Sequence, residues 1–291
     1  MKNLSLKVKI NDELMKFLIE NLPGKNRNNI KSLLKNGQIL VNGVRTSQFN
    51  YLLKEGDEVI VSASRMTENH LQGIKIIFED DDIIVIEKPE GMLSIATDKE
   101  RERTAYNIVK EYIKAKNPQE KLFIVHRLDK GTSGVMIFAK TEGIQQVLQT
   151  NWQNFVKERK YVAVVEGKVE KNRDTIISYL KENNAMVTFS SPVEIEGSKK
   201  AITHYEVLKR SRAYSLVEAN IETGRKNQIR VHMQGLGHSI IGDKKYGAKT
   251  NPLRRLGLHA RTIVFKHPRT NKILSFETKI PVRFSSMFKV K

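Results

Sequence analysis

The segment FIVHRLDKGTSGVMIFAK, residues 123–140, sets two apolar runs on either side of a dense polar loop. Phe123, Ile124 and Val125 enter as a strand, and GVMIFA leaves as another. Between them, HRLDKGTSG (126–134) packs a carboxylate, two cations, two hydroxyls and two glycines into one connection. Gly131 and Gly134 allow tight turns and close backbone approach. Thr132 and Ser133 are expected to bond nearby backbone and hold Asp129 in place. A loop of this kind between buried strands is a usual location for site residues. The competing reading is a structural turn with an Asp–Arg surface pair.

Strands continue outward from this loop. IKIIFEDDDIIVIEKP (74–89) reads as two strands around an acidic turn, and TAYNIVKEYIKAKN (104–117) as a helix. TEGIQQVLQTNWQNFVKER (141–159) reads as one helix with Ile144, Val147, Leu148, Trp152 and Phe155 facing inward. KYVAVVEGKV (160–169) is a strand, and residues 174–222 form several more. TGRKNQIRVHMQGLG (223–237) reads as a turn and then a helix, and RTIVFKHPRTNKILSFET (261–278) as a hairpin turning at Pro268–Asn271. Strands dominate without strict βαβ alternation. The expected class is therefore α+β, with a mixed, mostly antiparallel sheet and flanking helices.

The polar stretch ASRMTENHLQGIK (63–75) suggests a boundary: a small module over 1–65, a linker over 66–74 and a large domain over 75–291. In the small module, Asn11 or Asp12 is placed to cap a helix through LMKFLIENL (14–22), which Pro23-Gly24 ends. Asn28 or Asn29 is placed to open a second helix, closed by Gly37. QILVNGV, with an Asn42-Gly43 turn, and DEVIVSA supply short strands.

Composition narrows the chemistry. The chain has 291 residues, 51 Lys plus Arg against 32 Asp plus Glu, a net +19, and no cysteine. A disulfide scaffold, a thiolate zinc site, an iron–sulfur cluster and a cysteine nucleophile are excluded. The charge is uneven: residues 1–65 carry +5, 75–196 carry −1 and 197–291 carry +16. That imbalance predicts a positive face for a polyanion, most simply nucleic acid. No apolar run nears the roughly 20 residues of a membrane span. The first residues hold scattered charges and no signal-peptide core, so the cytoplasm is the expected location. No GK[ST] phosphate loop occurs. His232, His238, His259 and His267 match no zinc spacing, so no metal is expected and these residues read as hydrogen-bonding or RNA-contacting groups.

HRLDKGTSG strongly resembles the HRLD-x-x-TSG signature of the RluA-type RNA pseudouridine synthases, matching every fixed position. KPEG (88–91), ERKYVAVVEG (158–167), TGRKNQIRVH (223–232), GDKKYG (242–247) and LHA (258–260) resemble further family blocks in order. The resemblance covers residues 75–291. The first 60 or so resemble the S4-like RNA-binding domain of several members.

The resemblance implies an RNA isomerase without metal or organic cofactor. It breaks the uracil N1–ribose C1′ bond, turns the base and joins C5 to C1′. Asp129 matches the catalytic aspartate. A carboxylate of free pKa about 3.9 is ionised at neutral pH, fit to attack C1′ or remove the 2′ proton. Arg230 matches the arginine that pairs with it, and Tyr161 the aromatic that stacks on the target base. Arg127 matches the arginine that replaces a flipped nucleotide in the RNA stack. His126 and Lys88 are expected on the RNA-binding side, and Lys88, with Thr132 and Gly134, reads as site architecture. Arg225 is placed to bind phosphate. Lys226 and Asn227 depart from the family's usual Thr and His. In the small module, Lys25, Arg27, Lys31, Lys35 and Arg45 are expected to line a phosphate-binding face. DELMKFL lacks the Arg-Leu-Asp often present in that domain's first helix. Large-subunit ribosomal RNA is the expected substrate of a monomeric enzyme, with transfer RNA as the alternative target. A non-catalytic RNA-binding assembly factor is the rival from another class. A glycosidase with paired carboxylates is disfavoured by the single Asp of the loop.

Overall fold

The computed structural model describes residues 4–35, 38–42, 44–46, 48–62, 70–71, 73–98, 100 and 103–288. The chain divides into two compact units, residues 1–70 and 71–291. Most of the expected linker (residues 66–69 and 72) lies outside the described residues.

The smaller unit packs helices Leu14–Asn21 and Arg27–Lys35 with short strands Leu4–Lys7, Glu58–Val61, Ile39–Val41 and Val44–Arg45, which form one sheet in that order. Leu14, Leu18, Ile30, Ile39, Leu53 and Val59 are fully buried in its core. Its caps differ from the expected ones. Asp12 and Glu13 pair as a strand with Leu52–Leu53, so no side chain caps the first helix. The second helix opens at Asn26, not Asn28 or Asn29. Asn26 Oδ1 accepts from the Asn29 N–H at 2.9 Å, and Asn29 Oδ1 accepts from the Asn26 N–H at 3.0 Å. With three asparagines among residues 26–29, the cap is chosen by this reciprocal pair. Gly37 and Gly43 lie outside the described residues.

The larger unit is α+β around one mixed sheet. Its strands run, side by side, Thr188–Ser191, Arg173–Glu182, Lys199–Arg210, Tyr214–Ile221, Val156–Glu166, Leu258–Lys266, Ser133–Ala139, Ile83–Lys88 and Ile74–Glu79. Ile273–Glu277 folds back onto Leu258–Lys266 as the expected hairpin, with Asn271 at φ 59° in its turn. These neighbours are antiparallel, except that Ser133 and Gly134 lie parallel to His259 and Ala260. That parallel junction joins the two halves of the sheet.

Apolar alternation fixes both faces of the first half. Ile84, Ile86, Met136 and Phe138 point toward helix Ala105–Lys116 and meet Ala105, Ile108, Val109 and Ile113. Ile83, Val85, Val135, Ile137 and Ala139 point the other way and meet Leu148, Ile263 and Phe265. A strand buried on both faces reads as a continuous apolar run, as GVMIFA does. Each such Ile or Phe contributes about 2 kcal/mol. The helix itself starts at Thr104, whose Oγ1 accepts from the Asn107 N–H, and ends with Lys114 and Lys116 near its negative pole. In the second half, helix Gln228–Gly235 lays Ile229 and Met233 on Val165, Val217 and Ala219.

Two elements correct the sequence reading. The strand ahead of the HRLD loop is only Phe123–Ile124, since the chain turns away at Val125. The single helix expected over 141–159 is helix Glu142–Thr150 plus one turn, Trp152–Phe155, and Val156 already begins the long strand. Asn151 leaves helical geometry at φ −112°, ψ 28°, and Val147 is exposed rather than inward. Sheet pairing from Val156 onward outweighs helix continuation there.

Candidate active site

The loop carrying Asp129 is built from its neighbours. The Leu128 N–H donates to Ser94 Oγ at 3.0 Å, and that hydroxyl donates to the Leu128 carbonyl at 2.7 Å. The Gly91 N–H donates to the Lys130 carbonyl at 2.8 Å, so the KPEG turn holds the loop from outside. Thr132 contributes its backbone N–H, which donates to the Asp129 carbonyl at 3.0 Å. Contrary to the expectation from sequence, the Ser133 hydroxyl bonds no backbone group among the described residues. Instead it accepts from Arg255 Nη2 and donates to His259 Nδ1, each at 2.8 Å. That assigns the ring proton to Nε2, 2.8 Å from Thr278 Oγ1. Burial pushes the His259 imidazole down to about 4, so the ring stays neutral.

Lys88, expected on the RNA-binding side, lies fully buried beneath this turn and so presents no surface to RNA. Its ammonium donates to the Pro89 carbonyl at 2.9 Å and to the Met92 carbonyl at 2.7 Å. Burial, followed by the Arg255 charge, pulls it from its ordinary 10.5 down to about 8. Between those values the folded chain binds fewer protons than the unfolded one. Stability contributed at Lys88 therefore rises with pH across that window, by at most about 1.4 kcal/mol per unit. Wild-type protein and Lys88→Met, unfolded in denaturant at pH 7.5, 8.5 and 9.5, should show a gap that moves in favour of the wild type as pH rises. A gap independent of pH would contradict the charged, buried state of Lys88.

Asp129 opens into a cleft of about 880 Å³ lined by the HRLD loop, Trp152, Arg159, Tyr161 and the turn 222–230. Its side chain is 33% exposed. Arg230, from the first turns of helix Gln228–Gly235, donates through Nη1 to Asp129 Oδ2 at 3.1 Å, although the two are 101 positions apart in sequence. The same guanidinium donates through Nε and Nη2 to both oxygens of Asp243, at 2.6 and 2.7 Å. Nη1 also reaches Asn227 Oδ1 at 2.7 Å, and the group lies 4.8 Å over the Tyr246 ring. Burial works against the Arg230 charge. Asp243 and then Asp129 reverse that and hold it above the ordinary guanidinium value.

Tyr161 lines the same cleft from strand Val156–Glu166. The pairing with Leu258–Lys266 slips there: Lys160 faces Thr262 while Tyr161 faces Ala260, leaving Arg261 as a bulge. Such a bulge bends a strand and re-aims the side chains beside it. Burial, opposed by the Arg159 charge and aided by Asp129, raises the Tyr161 phenol above its usual 10, so it remains protonated.

The remaining expected residues divide. Arg127 lines the cleft, is exposed, and makes no ion pair or side-chain hydrogen bond among the described residues. His126 is committed inside the loop. Its Nε2 accepts from the Ile137 N–H at 3.1 Å, its ring packs 5.2 Å from Trp152, and burial lowers it to about 3. It supports the loop as a neutral acceptor and offers that nitrogen to no RNA. Arg225 lines the cleft and donates to the Lys200 carbonyl at 3.0 Å. Lys226 pairs with Glu182, and Asn227, left-handed at φ 58°, supplies the oxygen that meets Arg230. In the smaller unit, Lys25, Arg27 and Lys31 are exposed, while the Lys35 and Arg45 side chains lie outside the described residues.

Sequence reading missed Asp243, Arg159, Trp152 and Arg255. Arg159 donates to the Glu222 carbonyl at 2.7 Å and lies 5.8 Å over Trp152. Arg255 links Glu90 of the KPEG turn to Ser133. The signals for Asp243 are its place in the GDKKYG block and its being one of five acids in the strongly basic stretch 197–291. Among the described residues, Asp80, Asp82 and His267 alone converge as metal ligands would. There, His267 Nδ1 accepts from the Arg269 and Thr270 N–H groups, Nε2 faces Asp80 at 3.1 Å, and Arg269 engages Asp82. The cluster is an ion-paired hairpin clasp away from the cleft lining.

Comparison with known proteins follows the same chain of residues. The model of the RNA pseudouridylate synthase family matches residues 82–235. The RNA pseudouridine synthase YlyB of Bacillus subtilis is 33% identical over 281 residues, covering 93% of this chain and 91% of its own. The ribosomal large subunit pseudouridine synthase D of Neisseria meningitidis is 33% identical over 282 residues, covering 89% and 73%. Among solved structures, human RNA pseudouridylate synthase domain containing 4 superposes at TM-score 0.60, with 24% identity over 72% of this chain and 90% of that one. The likeness of fold agrees with the relatives, and the chain belongs to the RNA pseudouridylate synthase family as an RNA pseudouridine synthase.

Proposed function

We propose that this enzyme isomerises specific uridines of large-subunit ribosomal RNA, with Asp129 as the reacting carboxylate. The observation that carries the reading is the geometry at Asp129. One oxygen meets a half-buried arginine, while a third of the Asp129 side chain is open to a cleft flanked by Tyr161 and Arg127. In the reaction the N1–C1′ bond breaks, C5 bonds to C1′, and the C5 proton is exchanged for one on N1. Asp129 either forms an ester at C1′ or takes the 2′ proton. The detached uracil must turn within a closed site, which Tyr161 is placed to cover. Both C1′ and C5 must be reached, so the nucleotide leaves its stack. The ribosomal target is supported by the Neisseria relative's name. The smaller unit, read as an S4-like RNA-binding domain, presents Lys25, Arg27 and Lys31 to solvent for phosphate contacts.

The test is a pseudouridine map of ribosomal and transfer RNA from cells with the gene, without it, and complemented by Asp129→Ala. Discrete ribosomal sites should vanish without the gene and stay absent with the variant. Loss confined to transfer RNA would move the substrate. No loss, together with inactivity of purified protein on transcribed RNA, would leave a binding protein.

Arg127 gives a separate prediction. If it fills the gap left by the flipped nucleotide, Arg127→Ala should slow single-turnover conversion of a uridine in a stem-loop by about tenfold, the cost of roughly 1.4 kcal/mol of lost stacking. A uridine in an unstructured oligonucleotide should be affected much less. Equal losses on the two substrates would assign Arg127 to phosphate binding instead.

A further inference from the structure

We propose that the turn Asn151–Asn154 reads the identity of the bases flanking the target uridine, with adenine as its best match. This assignment rests on the cleft taking a flipped uridine of RNA. Residues 143–156 carry six carboxamides and no charged side chain, in a chain where 29% of residues are charged. Phosphates are bound by cations, so a neutral rim beside an RNA cleft suits bases instead. Asn151, Gln153 and Asn154 all line the cleft that holds Asp129 and Arg127. All three are exposed, and none of their carboxamides makes a hydrogen bond among the described residues.

The frame behind them is fixed. Gln145 and Gln149 both donate through Nε2 to the Ile124 carbonyl, at 2.9 and 2.8 Å, and tie helix Glu142–Thr150 to the strand that leads into the HRLD loop. Asn151 then breaks the helix, and its carbonyl accepts from the Asn154 and Phe155 N–H groups at 2.9 and 3.0 Å. Trp152 pins the turn: its ring lies 5.2 Å from the His126 ring and 5.8 Å from the Arg159 guanidinium. The three free carboxamides therefore stand on a rigid support. Each offers an acceptor oxygen beside an amino donor in one plane. That set matches adenine, whose N6 amino donor lies beside a ring-nitrogen acceptor, and it gives a bidentate pair. Nucleotides next to a flipped base are partly unstacked, so their edges are open to a side chain. Arg127, placed to fill the gap left by the uridine, lines the same cleft, so the bases bordering that gap lie within reach of the turn.

The test uses a stem-loop RNA bearing a uridine that the wild-type enzyme converts, made with each base in turn at the positions bordering it. kcat/KM is measured for wild type, Asn151→Ser and the double variant Gln153→Ala/Asn154→Ala. Wild type should favour adenine at one of these positions by about tenfold or more, the scale of one bidentate pair. The variant lacking the pairing amide should lose about tenfold on the adenine RNA and discriminate by less than about threefold. Its kcat/KM on the poorer RNAs and the salt dependence of binding should match wild type, since no phosphate contact is removed. Asn151 makes no side-chain cap and positions 153 and 154 are exposed, so the melting temperature should also be unchanged. Wild-type indifference to adenine, discrimination that survives in both variants, or equal losses on every RNA overturns the proposal. If wild type and both variants discriminate alike, this inference fails alone. If the wild-type protein converts no uridine in any RNA, the reading of the cleft fails with it.

Discussion

Asp129→Asn is expected to reduce isomerisation by at least about a thousandfold while RNA binds within threefold of wild type. The magnitude follows from removing the group proposed to attack C1′ or accept the proton, which the cleft and remaining contacts do not replace. Asn matches Asp in shape and cannot do either. The same substitution should barely disturb the fold. Removing one partner of a buried ion pair ordinarily costs several kcal/mol, because a charge is left unpaired. Here Arg230 keeps both bonds to Asp243, so its charge stays compensated. A thermal melt within about 2 °C of wild type should accompany the loss of turnover. A tritium-release or mapping assay showing normal conversion by this variant would remove Asp129 from the chemistry.

Gly134→Ala is expected to have the largest effect on stability. Gly134 has φ +119°, a conformation that side-chain-bearing residues avoid. An added Cβ would stand 2.0 Å from the Ala260 carbonyl oxygen and 2.7 Å from its nitrogen. Both obstacles are backbone of the neighbouring strand, at the parallel junction, and no side chain can move aside to relieve them. Backbone strain of 1–3 kcal/mol adds to an overpacking cost of similar size, giving about 4 kcal/mol. For a unit of this size the melting temperature should fall by roughly 10 °C, and turnover should fall with it because Asp129 sits five residues upstream. Melting within 2 °C of wild type would show that the two strands are free to separate at this point.

Much of the larger unit was legible because its strands are apolar and regularly spaced. Ile83–Lys88 and Ser133–Ala139 were both visible as runs of Ile, Val and Phe. The loop between Val125 and Ser133 was legible from its unusual mix of residue types, and the partnership of Asp129 with Arg230 from the family blocks. Asp243 was visible only as part of the GDKKYG block, and its pairing with Arg230 was not legible, since a single acid in a turn has no periodicity and its burial depends on an arginine folded against it. Arg255 was hidden for the same reason: its partners Glu90 and Ser133 are 165 and 122 positions away. The helix over 141–159 was misread past Asn151 because its apolar spacing continues across the break. Only the sheet edge waiting for Val156 reveals that the helix ends there.

The order of strands has a consequence for synthesis. Leu258–Lys266 lies between Ser133–Ala139 and Val156–Glu166, so a strand made late occupies the middle of the sheet. Until residue 266 has left the ribosome, the halves that carry Asp129 and Arg230 have no strand to join them. Contacts this distant in sequence form slowly. The nascent chain thus carries Asp129 before Arg230 can reach it, and the cleft is complete only in the closing step of folding.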